Sequence, residues 1–411
     1  MHQNASRMSL YDFRNGTTRF RWSGMKGTHL VVPDTQPPVP LPFLGFLGQT
    51  QTTVMALKVT RNNGFEKEDR VAAKLLKYKN KDDVTRTRLE VQNLRSLSHN
   101  HIVAFVGTYA SGRDLGLLMF PVAAWDLETF LKSPNVHDRE RRNMIRPWFR
   151  CLARVTRYLH KLTSPFKHRD IKPANILIDQ SGAVFLTDFG ISKRYPNAAE
   201  MVTQGDTNYT LEWASPQRLR NINQGEESDI FSLGCVFLHM ATVLLGYTLA
   251  ELEDYLIEQS SLPTRSSGGH LNAARPVQTP ARFRFGEEYE VAISWARKMK
   301  LEKSHSSDPN LESYQSHLAE HLIDVIVDMI QESSKSVSEM LNAVRLEKAR
   351  SNSIPPGASG TNEGADAKDS SYSEPVMRLL PLIDLEQVAT KFDKICEGRC
   401  KSCDEQVGYG T

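Results

Sequence analysis

The stretch His168-Arg169-Asp170-Ile171-Lys172-Pro173-Ala174-Asn175-Ile176-Leu177, followed thirteen residues after Asn175 by Asp188-Phe189-Gly190, decides how this chain is read. Between the two lies a β-hairpin signal: Ile176 to Ile178, a turn at Asp179-Gln180-Ser181-Gly182, then Val184 to Thr187. A tight hairpin returns the chain to where it started, so Asp170, Asn175 and Asp188 are expected in one place. Two carboxylates and an amide so arranged suit phosphoryl transfer, in which metal ions bridge phosphate oxygens and a further carboxylate orients a hydroxyl.

Upstream of this motif, from about 43 to 120, come short β-like runs rich in Val, Leu and Thr: Val54 to Thr60, Arg70 to Leu76, His101 to Tyr109 and Gly116 to Phe120. A helical pattern from about Val84 to Leu97 interrupts them. From about 126 long helical patterns take over, among them Arg142 to Leu162 and Ile230 to Leu249. A small β-rich part followed by a larger helical one predicts an α+β fold in two lobes. Residues 1–42 end in a proline cluster and read as an extended lead-in. Residues 351–375 have almost no large apolar side chain and read as a disordered linker. In the tail, 376–411, Leu385, Val388, Ala389, Phe392 and Ile395 recur at helical spacing, which suits docking back on the body or, less simply, a partner.

The 411 residues are 40% hydrophobic and 24% charged, with a formal net charge of +3. That composition supports a sizeable core and excludes a collagen, a coiled-coil rod and a wholly disordered chain. The near-balanced charge argues against a protein that coats nucleic acid. Five cysteines form no disulfide framework, and the N-terminus has no apolar run of signal-peptide length, so an intracellular, reducing and most simply cytoplasmic setting is expected, with a nuclear address left open. The apolar stretch Ile230 to Leu249 contains Ser232, His239 and Thr242 and reads as a buried core helix, not a membrane span.

The two quoted motifs resemble, letter for letter, the catalytic loop and metal-binding motif of eukaryotic-type protein kinases. The resemblance implies a two-lobed kinase domain over about 43–346, with a small lobe to 120 and a large one over 121–346. It implies Asp170 as catalytic base, Lys172 as the cation beside the transferring phosphoryl group, and Asn175 and Asp188 as holders of Mg2+, with ATP bound between the lobes. An ATP-phosphate lysine paired with a helical glutamate should follow. Lys58 and Lys74 compete for that part. Glu90 is the best-placed glutamate, and a short loop with two helical turns matches the sixteen residues from Lys74, not the thirty-two from Lys58.

Over the phosphates the resemblance places Gly48 and Val54, in Leu47-Gly48-Gln49-Thr50-Gln51-Thr52-Thr53-Val54, with threonines where later glycines are usual. Cβ atoms there hinder close backbone approach to a phosphate. Met119 falls at the gatekeeper position, the backbone from Phe120 to Val122 at the adenine-facing hinge, and Ala72 and Leu177 at adenine-sandwiching positions, where core packing is an equally good reading. Thr210, in Tyr209-Thr210-Leu211-Glu212-Trp213-Ala214-Ser215-Pro216-Gln217, and Lys172 follow the serine/threonine-specific pattern, so the implied substrates are protein serines and threonines. Gln217 replaces the family's glutamate, and Glu332-Ser333-Ser334-Lys335 lacks its arginine partner. Asp229 matches a buried aspartate that braces the catalytic loop, though a helix N-cap is the plainer role. The resemblance also implies that Arg169 would pair with an activating phosphate on Thr203 or Thr207, placed there by an upstream kinase.

The rival reading is a pseudokinase scaffold with the same fold, favoured by the glycine-poor loop and Gln217 and opposed by intact Lys74, Glu90, Asp170, Asn175 and Asp188. A small-molecule kinase is opposed by the docking segment Thr210 to Gln217. Cys396, Cys400 and Cys403 are one ligand short of a structural zinc site. Arg139, Arg141, Arg142, Arg146 and Arg150 read as a solvated helix face or a dock for acidic substrate.

Overall fold

The computed structural model describes residues 28–32, 43–49, 53–59, 69–77, 81–111, 114–197, 210–221, 225–260, 283–304, 319–334, 387–388 and 390–392. The N-terminal part is a sheet of β1 (Thr28–Val32), β2 (Phe43–Gln49), β3 (Thr53–Val59), β4 (Asp69–Lys77), β5 (Ala104–Ser111) and β6 (Asp114–Phe120), in the order β1-β5-β6-β4-β3-β2. Helix α1 (Lys81–Ser96) lies between β4 and β5 in the chain. The predicted strands are present, and β1 adds one inside the expected lead-in. It pairs parallel to β5 from Thr28↔Gly107 to Val32↔Ser111 and so covers an otherwise open sheet edge.

The large lobe opens with β7 (Ala123–Asp126) and α2 (Leu127–Lys132), then α3 (Arg139–His160), β8 (Phe166–Lys167), β9 (Ile176–Asp179), β10 (Val184–Leu186) and β11 (Lys193–Arg194). The predicted hairpin is β9–β10. Asp179 holds its turn by accepting from the backbone of Ser181 and Ala183, and Gly182 takes φ 81°, which a side chain would strain. The lobes are joined at this hairpin: Val103 N–H donates to the Leu186 carbonyl (3.1 Å) and Leu186 N–H to that of His101 (2.8 Å).

The remaining helices are α4 (Pro216–Leu219), α5 (Glu227–Leu244), α6 (Leu249–Gln259), α7 (Tyr289–Ser304) and α8 (319–334). The expected single helix over Ile230 to Leu249 is instead two. Gly246 at φ 91° ends the first, and Thr248 starts the second with a reciprocal capping box to Glu251. Helix α5 is long and apolar enough to cross a membrane by length and composition, but 89% of it is buried inside this fold. It is the central core helix: Phe231, Cys235, Val236, Phe237, Leu238 and Met240 have no solvent exposure. At Gly234 it approaches α8 so closely that a Cβ would press on Ile330 and Met329.

Candidate active site

Strand β8 delivers the chain into the loop His168 to Asn175, and a buried carboxylate holds that loop. Asp229, in the first turn of α5, accepts from the backbone N–H groups of His168 (Oδ2, 2.8 Å) and Arg169 (Oδ1, 2.8 Å). His160 Nε2 lies 3.0 Å from the same Oδ2. Arg169 sits at φ 72°, an uncommon conformation for a residue with a side chain, and the Asp229 contacts hold it there. Burial alone would raise the Asp229 carboxyl. The hydrogen bond from His160 and the nearby positive charge hold it well below the usual aspartate range instead.

This anchor carries a prediction. Asp229→Asn retains the shape but loses the charge, and should lower stability by about 2–3 kcal/mol near neutral pH. Since the folded-state pKa is depressed, the stabilisation is present above the ordinary aspartate value and disappears as pH falls. The gap between the two melting curves should therefore narrow below about pH 4.

Asp170 is held on three sides. Lys172 Nζ (2.8 Å) and Asn175 Nδ2 (2.8 Å) donate to its Oδ2, and the Thr210 hydroxyl donates to Oδ1 at 2.9 Å. Thr210 in turn accepts from Lys172 Nζ at 2.6 Å. The segment 210–213 is thereby tied directly to the loop. Asn175 Nδ2 also donates to the Asp170 carbonyl (2.8 Å), so the amide nitrogen faces Asp170 and the amide oxygen points away from it.

Across the cleft, Lys74 Nζ donates to Glu90 Oε1 (2.7 Å) and Asp188 Oδ1 (3.0 Å). Burial pushes the Lys74 ammonium down, but the charges of Glu90 and Asp188 outweigh it and carry its pKa above the usual lysine value. Asp188 is likewise pushed up by packing and then held below its ordinary value by Lys74. Its backbone is at φ 63°, and its side chain keeps 42% exposure toward the cleft. The pairing of β3, β4 and β6 aligns Val54 with Lys74 and Lys74 with Leu117, and Ala72 with Met119 two residues along. Cross-strand partners share a face and residues two apart share a face, so Val54, Ala72, Lys74 and Met119 line one side of the sheet. Gly48 pairs with Val54 at the β2–β3 end, and residues 50–52 between the strands lie outside the described residues. Half-buried Val122 follows β6, and half-buried Leu177 lies on β9 opposite Asp126 of β7.

A Mg2+ ion fits this donor set. The open Asp188 carboxylate and the outward Asn175 amide oxygen are hard oxygen donors. Among the described residues no group of three His, Cys, Asp or Glu side chains comes together.

Other contacts had no local signature in the sequence. Asn93, one helical turn past Glu90, donates to the carbonyls of Phe189 (3.1 Å) and Ser192 (3.2 Å), tying α1 to the metal-motif segment. Its i+3 spacing from Glu90 is the one signal that could have found it. Ser192 donates to the His168 carbonyl at 2.9 Å, and Phe189 is buried against Phe166 and His168. Gln217 donates to the Ser333 carbonyl at the end of α8, at the place where an arginine partner is missing. A neutral amide on a backbone oxygen replaces an ion pair there. Thr203, Thr207, Cys396, Cys400 and Cys403 lie outside the described residues, as does the side chain of Arg139.

A β-rich lobe whose lysine pairs with a helix glutamate, set over a loop presenting Asp170 and Asn175, is protein kinase architecture. A family-wide model of the protein kinase domain matches residues 51–342, well over half of the chain, and the chain belongs to that family. Among curated relatives, mitogen-activated protein kinase kinase kinase A of Dictyostelium discoideum is 30% identical over 179 residues, 42% of this chain and 18% of its own length. Mitogen-activated protein kinase kinase kinase ANP1 of Arabidopsis thaliana is 32% identical over 153 residues, 37% of this chain and 22% of its own. Serine/threonine-protein kinase STE11 of Saccharomyces cerevisiae is 32% identical over 154 residues, 37% of this chain and 21% of its own. The match thus spans about a fifth of each relative's length.

Proposed function

We propose that the chain is an ATP-dependent protein kinase that transfers the γ-phosphoryl group to serine and threonine hydroxyls of protein substrates. The observation that carries this reading is the Asp170 carboxylate held by Lys172, Asn175 and Thr210. An anion so fixed is aimed to accept the proton of an attacking hydroxyl, and Lys172 beside it offsets charge on the transferring group. Lys74, oriented by Glu90, holds the ATP phosphates. Val54, Ala72, Met119, Val122 and Leu177 enclose the base, with Gly48 above the phosphates. Mg2+, held by Asn175 and Asp188 when bound with ATP, draws negative charge from the phosphate oxygens. The names of the relatives support the serine/threonine class, and a downstream protein kinase is the first substrate to assay. The catalytic unit spans about 43–346, and the protein works in an intracellular, most simply cytoplasmic, setting.

Transfer of label from MgATP onto the chain and a generic protein substrate, followed by phosphoamino acid analysis, tests the reading. Phosphoserine and phosphothreonine without phosphotyrosine is the expected result. No transfer by folded protein already phosphorylated on Thr203 and Thr207 would overturn it in favour of a binding module. Thr210→Val removes the hydroxyl that donates to Asp170 and accepts from Lys172, leaving the direct Lys172–Asp170 contact in place, and should lower transfer about tenfold, the worth of a charge-assisted hydrogen bond. Activation by an upstream kinase is part of the proposal, with Arg169 receiving the phosphate of Thr203 or Thr207. A phosphosite map of active protein with both threonines unmodified would sink that part.

A further inference from the structure

The family match ends at residue 342, yet two side chains far beyond it belong to the core of the large lobe. Phe392 has no solvent exposure and Val388 only 4%. They are four apart on a helical segment whose Gln387, Thr390 and Lys391 are exposed, so one turn presents an apolar face inward and a polar face to water. The Phe392 ring stands edge-on to Phe237 of α5 (centroids 5.1 Å, interplanar 87°) and lies 5.6 Å from Phe149 of α3. Phe149 and Phe237 also contact each other at 5.0 Å, so the three rings close one cluster. At the rim, Lys391 Nζ approaches Asp328 of α8 at 3.5 Å, both half exposed.

We propose that residues 387–392 are an intramolecular ligand for an apolar groove formed by α3 and α5 and flanked by α8, and that this segment completes the large lobe. The occupant is the chain's own C-terminal segment, because it is seen seated there with both apolar side chains buried and its polar ones outward. Without it, Phe149 and Phe237 on two central helices would face water, an apolar exposure that soluble domains avoid. Phe392 supplies the affinity by burial, and the exposed Lys391–Asp328 pair contributes little. The groove reaches the active site through α5, which carries Phe237 on its middle turns and Asp229 on its first.

The test uses the full chain with a protease recognition sequence inserted within 351–375. After cleavage, the C-terminal fragment should remain with the body on size exclusion at micromolar concentration, and the unfolding midpoint should be unchanged. Phe392→Ala should release the fragment after cleavage and lower the midpoint of the uncut chain by about 5 °C or more. Phe392→Leu should retain it, and Lys391→Ala should behave as wild type. A wild-type fragment that elutes apart from the body would overturn the proposal. So would a fragment that stays bound irrespective of Phe392, because the aromatic anchor would then carry nothing. Cleavage of the wild-type chain answers the question even if Phe392→Ala does not fold. Neither readout involves phosphoryl transfer, so its failure is distinct from failure of the kinase reading.

Discussion

Asp170→Asn should lower phosphoryl transfer by about 10³-fold, within the range that general base catalysis contributes, while the protein remains folded. The reason is in what surrounds the carboxylate. Lys172, Asn175 and Thr210 all donate to it, so every neighbour expects an acceptor. An asparagine there cannot take a proton, and its NH2 group must face one of three donors. A stability loss of about 1–3 kcal/mol follows from that mismatch, small against the loss of activity. Transfer rates under saturating MgATP, measured beside a thermal melt, separate the two effects. A variant that keeps more than a tenth of wild-type transfer would remove Asp170 from the role of base.

Lys74→Met should be the most destabilising single change in the cleft. It removes the cation that neutralises both Glu90, whose side chain is 4% exposed, and Asp188. Leaving a buried carboxylate without its partner costs about 3–5 kcal/mol, far more than the intact pair contributes over an apolar replacement. The double variant Lys74→Met/Glu90→Leu should therefore recover much of the stability, because it removes the orphaned charge as well. It should recover none of the phosphoryl transfer, since the cation for the phosphates is still missing. Thermal melts and transfer assays on the two variants give the comparison. Equal stability of the single and double variants would show that Glu90 does not depend on Lys74 for its burial.

How legible these residues were follows from how local their signals are. His168 to Leu177, the hairpin and Asp188 fall within twenty-one residues, and a tight turn is dictated by its own residue types. The choice of Lys74 over Lys58 needed only a count along one loop and one helix. The break at Gly246 and Thr248 was equally local but lay inside an apolar run, where hydrophobicity masks a cap. Asn93 and Gln217 are different. Their partners lie 96 and 116 residues away, and nothing in either neighbourhood names a carbonyl at that distance.

The chemistry of the cleft was therefore written in the chain itself, because a carboxylate, an amide and a lysine at those spacings have few other uses. The two-lobe division was written there too, in the change from alternating to helical periodicity. Tertiary contact alone decided that β1 closes a sheet edge, that Asn93 reaches the carbonyls of Phe189 and Ser192, and that Phe392 packs on Phe149 and Phe237. Periodicity tells a side chain to be buried but does not say against what. Burial is non-directional, so the partner is selected only when the whole surface closes.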